Sequence, residues 1–261
     1  SVPRPGWAEH DADAVWWQDV CAISRTLMDR AGVTADDVGA LAVSALGPDL
    51  VPLDAGGRAL RPAILYGIDT RSAQEIADLN DRFGADAMAG LAGMVLTSQA
   101  VGPKILWLRR HEPAVFAQTR HLCTATSFLV YRLSGEYALD YHLASFFNPL
   151  FDIHALAWSD RYADAIVGSI PLPRLAWPGE VVGEVTPQAA AETGLRPGTP
   201  VTTGTLDVVA EAISVGVLHP GDLMMMYGTT TVFLLVVDDL SPGASVWSTP
   251  YAFPGLYNIM A

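Results

Sequence analysis

Lysine is nearly absent from this chain. Lys104 is the only one in 261 residues, and arginine supplies the rest of the positive charge. A Walker-type phosphate loop needs Gly-Lys-Ser/Thr, and that tripeptide does not occur. Cysteine is almost as scarce. Cys21 and Cys123 lie far apart and form no CxxC pair, which gives no disulfide framework and reads as two reduced core thiols. No apolar run of about 20 residues is present to span a membrane. The opening Ser1-Val2-Pro3-Arg4-Pro5 does not resemble a secretory signal. A cytoplasmic location is therefore expected. No HExxH or HxxxH spacing joins the six histidines, and no GxSxG marks a nucleophile elbow. Charged residues make up 16% of the chain, too few for a disordered segment that is 51% hydrophobic.

The charges that are present are mostly acidic. The net charge is -13, and such a surface repels a phosphate backbone, which excludes nucleic acid as a natural partner. It does not exclude a phosphate held locally by backbone N–H groups or through a metal.

Along the chain, residues 10–31 read as an amphipathic helix. Asp11 is its cap, and Val15, Trp16, Val20, Ile23 and Leu27 form the expected apolar stripe. Strands are expected at 39–46, near 50–53 and after Pro62, with a turn at Asp54–Gly57. Residues 70–134 read as mainly helical. The prolines at 171, 173 and 178 mark an extended connector. Beyond it the texture changes. A strand at 200–204 leads to a helix at 207–217, and two strands, 222–227 and 231–237, flank Gly228. This change sets the expected domain boundary, with one domain over 1–196 and the start of a second over 197–261.

Three places carry candidate chemistry. At Gly204-Thr205-Leu206-Asp207 a strand ends, glycine turns the chain and Asp207 opens a helix. A carboxylate there sits at the carboxyl edge of a sheet and could accept a proton from a substrate hydroxyl; the alternative is a simple helix cap. At Gly228-Thr229-Thr230-Thr231, glycine lets consecutive N–H groups face one anion; the alternative is an ordinary hairpin turn. At Gly67-Ile68-Asp69-Thr70-Arg71, Asp69 and Arg71 could bond a polyol or each other. The tryptophans at 16, 17, 107, 158, 177 and 247 could stack on sugars, with core burial as the commoner use.

The joint order of these motifs resembles the FGGY carbohydrate kinases over nearly the whole chain. The segments that carry the resemblance are Trp7–Asp11, LAVSALGPDLVPLD (41–54), RPAILYGIDTR (61–71), and Ser98-Gln99 with GPKILWL (102–108). LSGEYALDYHLAS (133–145), GLRPGTPVTTGTLD (194–207) and HPGDLMMMYGTTT (219–231) complete it. The resemblance implies an α/β, ribonuclease-H-like fold of the actin type, with two domains and a cleft between them. It implies transfer of the ATP γ-phosphate, with Mg²⁺, to a sugar or polyol hydroxyl. By it Asp207 is the general base. Gly228, Thr229 and Thr230 approach the ATP phosphates. Asp69, Arg71, Gln99 and the turn Gly47-Pro48-Asp49 face the sugar, and no residue is assigned to a metal. The alternative is a sugar-binding or regulatory member of the same fold without catalysis.

The sequence departs from the family pattern in places. The family's opening Asp-x-Gly-Thr loop does not precede Trp7, and its adenine-binding half does not follow Ala261, so a partial chain without a competent site of its own is expected. At 47–48, Gly-Pro matches neither the Met-His nor the Arg-Glu of two branches of the family, so neither substrate carries over. The aromatic ahead of Asp69 is Tyr66, with one residue inserted. A homodimer is left open.

Overall fold

The computed structural model describes residues 1–227, 231–240 and 246–261. Asp11 caps the first helical segment as expected, its Oδ1 accepting from the Ala14 N–H at 2.8 Å. The segment opens with a wide π turn over Ala12–Trp17 and continues as the α-helix Gln18–Ala31, which ends at Gly32 with φ +65°. Its buried face differs from the expected stripe. Ala12, Trp16, Trp17 and Cys21 face the core, whereas Val15, Ile23 and Leu27 are exposed. The π turn changes the angular offset between the two stretches, so the face that is buried early does not continue on an ideal 3.6-residue period.

The expected strands at 39–66 are short and pair with distant segments. Ser44–Ala45 lies parallel to Thr205–Leu206. Val51–Leu53 lies antiparallel to His121–Cys123. Ala63–Ile64 lies antiparallel to Glu9–His10. Residues 70–134 are mostly helical, as the pattern predicts, with helices Ala73–Phe83, Ala85–Ala92, Val101–His111, Pro113–Gln118 and Ala125–Ser134. The exception is His121–Cys123, a three-residue strand whose pairing partner lies about 70 residues back in the chain. The proline-rich connector contains one strand, Arg174–Ala176, parallel to Ala138–Asp140.

Near the C-terminal end a four-stranded antiparallel sheet runs in the order Leu223–Tyr227, Thr231–Val237, Tyr257–Met260, Trp247–Pro250. Apolar side chains gather in two clusters. One holds Trp17, Val51, Leu53, Cys123, Phe128 and Val201. The other joins Leu50, Ile105 and Phe147 to Leu206, Val209, Met224, Leu234 and Met260. This second cluster crosses the expected division at residues 196 and 197, so the packing on either side of that point is continuous. Among the described residues no helix is long and apolar enough to cross a membrane.

Candidate active site

A cavity of about 260 Å³ lies where the loop after Ser44–Ala45, the turn before Val101–His111 and the start of the helix Asp207–Ser214 meet. Leu46, Gly47, Pro48, Tyr66, Gln99 and Phe146 line it from the first part of the chain. Leu206, Asp207, Val208, Met226, Val232, Trp247 and Met260 line it from the last. Positions more than 200 residues apart, such as Leu46 and Met260, are thus brought together. Asp207 is the only carboxylate among the described residues of this wall.

The turn that presents Asp207 follows from local sequence. Gly204 has φ +72°, a conformation that glycine adopts without a Cβ penalty. A Cβ at this position would lie 2.2 Å from the Val43 carbonyl oxygen. The Gly204 and Thr205 N–H groups donate to Pro178 O at 3.1 Å and Val43 O at 3.0 Å. Thr205 Oγ1 donates to Asp140 Oδ2 at 2.9 Å, and Thr126 Oγ1 donates to Thr205 O at 3.1 Å. Asp207 then opens the helix, with the Val208 N–H donating to its Oδ1 at 2.8 Å. Its carboxyl is exposed at the cavity mouth, and its pKa is raised above the usual value, first by desolvation and then by the nearby Glu211.

Gln99 sits across the cavity. Its Oε1 accepts from the Gly67 N–H at 2.8 Å, and Ser98 Oγ donates to Gly67 O at 2.8 Å. These two bonds fix the amide, and its Nε2 donor has no partner among the described residues. Trp247 is half-buried and packs edge-on against Phe146 at 5.9 Å, so the cavity has aromatic walls beside its polar groups.

The other sugar-side candidates lie elsewhere. Asp69 and Arg71 do not line the cavity. Both are buried and bond each other: Arg71 Nη2 lies 2.7 Å from Asp69 Oδ2, and Arg71 Nε lies 2.9 Å from Asp69 Oδ1. Asp69 Oδ2 also accepts from the Ala8 N–H at 2.7 Å. Arg71 reaches Glu9 at 2.8 Å and lies 3.9 Å from the centre of the Trp7 ring. Arg61 extends this network to Glu9 and, at 2.9 Å, to Glu112. The geometry of this motif is therefore that of the salt-bridge alternative. Asp49 is also fully buried, with Oδ1 accepting from the Ala125 N–H at 2.9 Å, and it is absent from the cavity wall. Gly228, Thr229 and Thr230 lie outside the described residues.

Sequence reasoning missed the apolar half of the site. Phe146, Met226, Val232 and Met260 are not among the sequence candidates, because nothing local separates a residue that faces a cavity from one that faces a neighbour. Trp247 stood only as one of several tryptophans. Among the described residues no group of three or more His, Cys, Asp or Glu is placed to hold a metal ion.

The architecture is thus an α/β domain in which a turn-borne carboxylate faces a small, mixed polar and aromatic cavity. A family model described as the FGGY family of carbohydrate kinases, N-terminal domain, matches residues 1–214. Xylulose kinase of Escherichia coli K12 is 31% identical over 264 residues, covering 100% of this chain and 53% of that protein. Autoinducer-2 kinase of Enterobacter sp. strain 638 is 29% identical over 259 residues, covering 97% of this chain and 48% of that protein. The crystal structure of xylulose kinase from Rhodospirillum rubrum superposes with a TM-score of 0.92 at 31% identity, covering 100% of this chain and 53% of that one. The chain belongs to the FGGY family of carbohydrate kinases. Its fold is the α/β, ribonuclease-H-like fold of that family. The chain spans about half the length of the curated relatives it matches.

Proposed function

We propose that this protein is an ATP-dependent sugar kinase in which Asp207 is the catalytic base. The observation that carries the reading is the single cavity shared by the Asp207 carboxylate, the Gln99 amide and the Gly47-Pro48 turn. Its volume falls below the roughly 300–1,000 Å³ typical of sites for drug-sized ligands, and it suits a monosaccharide. The proposed substrate is a pentulose, hexulose or polyol, and the names of the relatives, xylulose kinase and L-xylulose/3-keto-L-gulonate kinase among them, favour the pentulose.

In this mechanism the sugar lies against the rings of Trp247 and Phe146 and takes a hydrogen bond from Gln99 Nε2. One sugar hydroxyl points at Asp207. The carboxylate removes its proton as the oxygen bonds the γ-phosphorus of ATP, and the bond from that phosphorus to the bridging oxygen breaks, releasing ADP. Desolvation raises the pKa of Asp207, which makes it a stronger base than a free aspartate. Gly228, Thr229 and Thr230 are the proposed phosphate-side groups, on the motif alone. Mg²⁺ is held in kinases by one or two carboxylates together with the nucleotide's phosphates. Among the described residues no carboxylate cluster is placed to hold the ion, and Asp207 is kept for the proton; Mg²⁺ carried by the nucleotide would neutralise charge on its phosphates. The same reading places the protein in the cytoplasm and makes residues 197–261 the start of the nucleotide-side domain.

A panel of pentuloses, hexuloses and polyols, each with ATP and Mg²⁺, tests this by ADP release, with calorimetry for sugar binding. In the responding sugar, Asp207→Asn should lower kcat by roughly 10²- to 10⁴-fold and leave sugar binding intact. Near-normal turnover by this variant would refute the assignment. Sugar binding without any turnover in the full-length protein would instead support the non-catalytic member of the fold.

A further inference from the structure

Lys104 is the only lysine in the chain, and it is fully buried. Burying an ammonium is costly unless strong partners replace its water. No carboxylate lies within ion-pair distance of it among the described residues. Its Nζ donates instead to main-chain carbonyls: Ser98 O at 2.7 Å, Gln99 O at 3.4 Å and Pro48 O at 3.5 Å. Ser98 and Gln99 form the turn on one side of the cavity, and Pro48 belongs to the loop on another. The two segments are about 50 residues apart in sequence.

The surrounding charges fit this arrangement. Desolvation lowers the Lys104 pKa well below its usual value, and the carboxylates of Asp49 and, less strongly, Asp69 oppose that shift. Asp49 is raised in turn by its own burial, and its Oδ2 has no hydrogen-bond partner. The chain therefore maintains a buried amine and a buried carboxyl directly behind the cavity, an arrangement that is costlier than an apolar filling. A single side chain with three rotatable donors can satisfy carbonyls from separate loops, which a methyl-bearing side chain cannot.

We infer that Lys104 is the positioning residue of this cavity, clamping the Ser98-Gln99 turn to the Gly47-Pro48 loop and so fixing where the Gln99 amide meets the ligand. This inference rests on the sugar-site reading for its ligand, but the clamp itself is a property of the chain alone. Lys104 does not touch the reacting atoms. It acts through the carbonyls that it gathers and, beyond them, through the Gln99 Oε1 bond to Gly67.

Two variants test it: Lys104→Met, which keeps length and removes every donor, and Lys104→Gln, which keeps donors on a shorter arm. In Lys104→Met the sugar KM should rise roughly 10- to 100-fold, as expected for losing a charged donor's hydrogen bonds. The ATP KM should stay within about threefold. Lys104→Gln should recover part of the loss. Amide hydrogen exchange supplies a readout that needs no ligand. Protection should fall at Gly67, whose N–H is held by Gln99, and at 97–100, while the interior of Val101–His111 stays protected. Equal KM values and unchanged exchange at these amides in Lys104→Met would overturn the proposal. So would a loss of protection spread evenly along the helix, which is the mark of a purely structural role. If neither variant folds, ¹⁵N-lysine labelling of the unaltered protein gives one side-chain signal. That signal should shift when sugar saturates the site, and an unmoved signal overturns the clamp. If no sugar of the panel binds, the kinase reading fails, and hydrogen exchange in the variants still decides the clamp.

Discussion

Replacing Gly204 with alanine should destabilise the protein and misplace the proposed base at once. Gly204 has φ +72°, a left-handed conformation that costs an L-residue about 1–2 kcal/mol. Its added Cβ would lie 2.2 Å from the Val43 carbonyl oxygen and 3.0 Å from Thr126 Cγ2. Val43 cannot simply withdraw. Its oxygen accepts from the Thr205 N–H at 3.0 Å, and the next two residues pair in parallel with Thr205–Leu206. Relieving the overlap means losing that hydrogen bond, worth about 1 kcal/mol, and shifting a packed strand at about 1–3 kcal/mol. Together these give about 3–6 kcal/mol, equivalent to a fall in Tm of roughly 6–24 °C for a chain of this size. Gly216→Ala is the matched control. Its φ is +83°, and no atom lies within 4 Å of the added Cβ, so it carries the conformational cost without the collision. Thermal melts followed by circular dichroism compare the two at one pH and concentration. Gly204→Ala should melt well below Gly216→Ala, and its kcat should fall because Asp207 lies three residues beyond the displaced turn. Equal melting temperatures in the two variants would refute the collision argument.

Gly67→Ala should act on Gln99 with little effect on the fold. Its Cβ would fall 2.8 Å from the Gln99 amide carbon and nitrogen, and a half-buried side chain can move aside. Steady-state kinetics should show the sugar KM raised about 2- to 10-fold through the lost Gly67–Gln99 bond; an unchanged KM would remove Gln99 from the site. Asp140 is fully buried, with Oδ1 lacking a partner, and desolvation pushes its carboxyl up to about 7. A raised carboxyl binds its proton more tightly in the folded than in the unfolded state, so this group's contribution to stability falls as pH rises from about 4 to about 7. Asp140→Asn retains an acceptor for Thr205 and does not titrate. Urea melts should show the variant gaining on the unaltered protein over that pH range, and a constant difference would show that Asp140 does not titrate there.

Local signals in the sequence were enough for those parts of the site that depend on backbone conformation. Gly204 ahead of Asp207 reads as a turn because glycine tolerates φ above zero, and the structure has that turn with the helix Asp207–Ser214 after it. Asp11 reads as a cap because its side chain needs only a donor three residues on. The strands Leu223–Tyr227 and Thr231–Val237 read as strands from unbroken apolar runs. Each of these depends on neighbours within a few residues, which a single sequence displays directly.

Tertiary structure alone decided which polar groups meet. Asp69 and Arg71 carry the same donors and acceptors whether they face a sugar or each other. Only the approach of Ala8, Glu9 and Trp7 closes them into a buried network. Gln99, Pro48 and Asp207 carry no local mark of sharing a cavity; only the family resemblance grouped them, and pairings such as Ser44–Ala45 with Thr205–Leu206 join them across the chain. Lys104 is the one charge in the run GPKILWL, and nothing local distinguishes a solvated ammonium from one bound to three carbonyls. The helix from Gln18 shows the same limit in its packing. Its period is visible in the sequence, but the face that is buried depends on a π turn and on the elements packed against it, and these left Ile23 and Leu27 exposed. Backbone preferences act over a few residues, whereas burial and charge pairing are set by segments tens to hundreds of residues away.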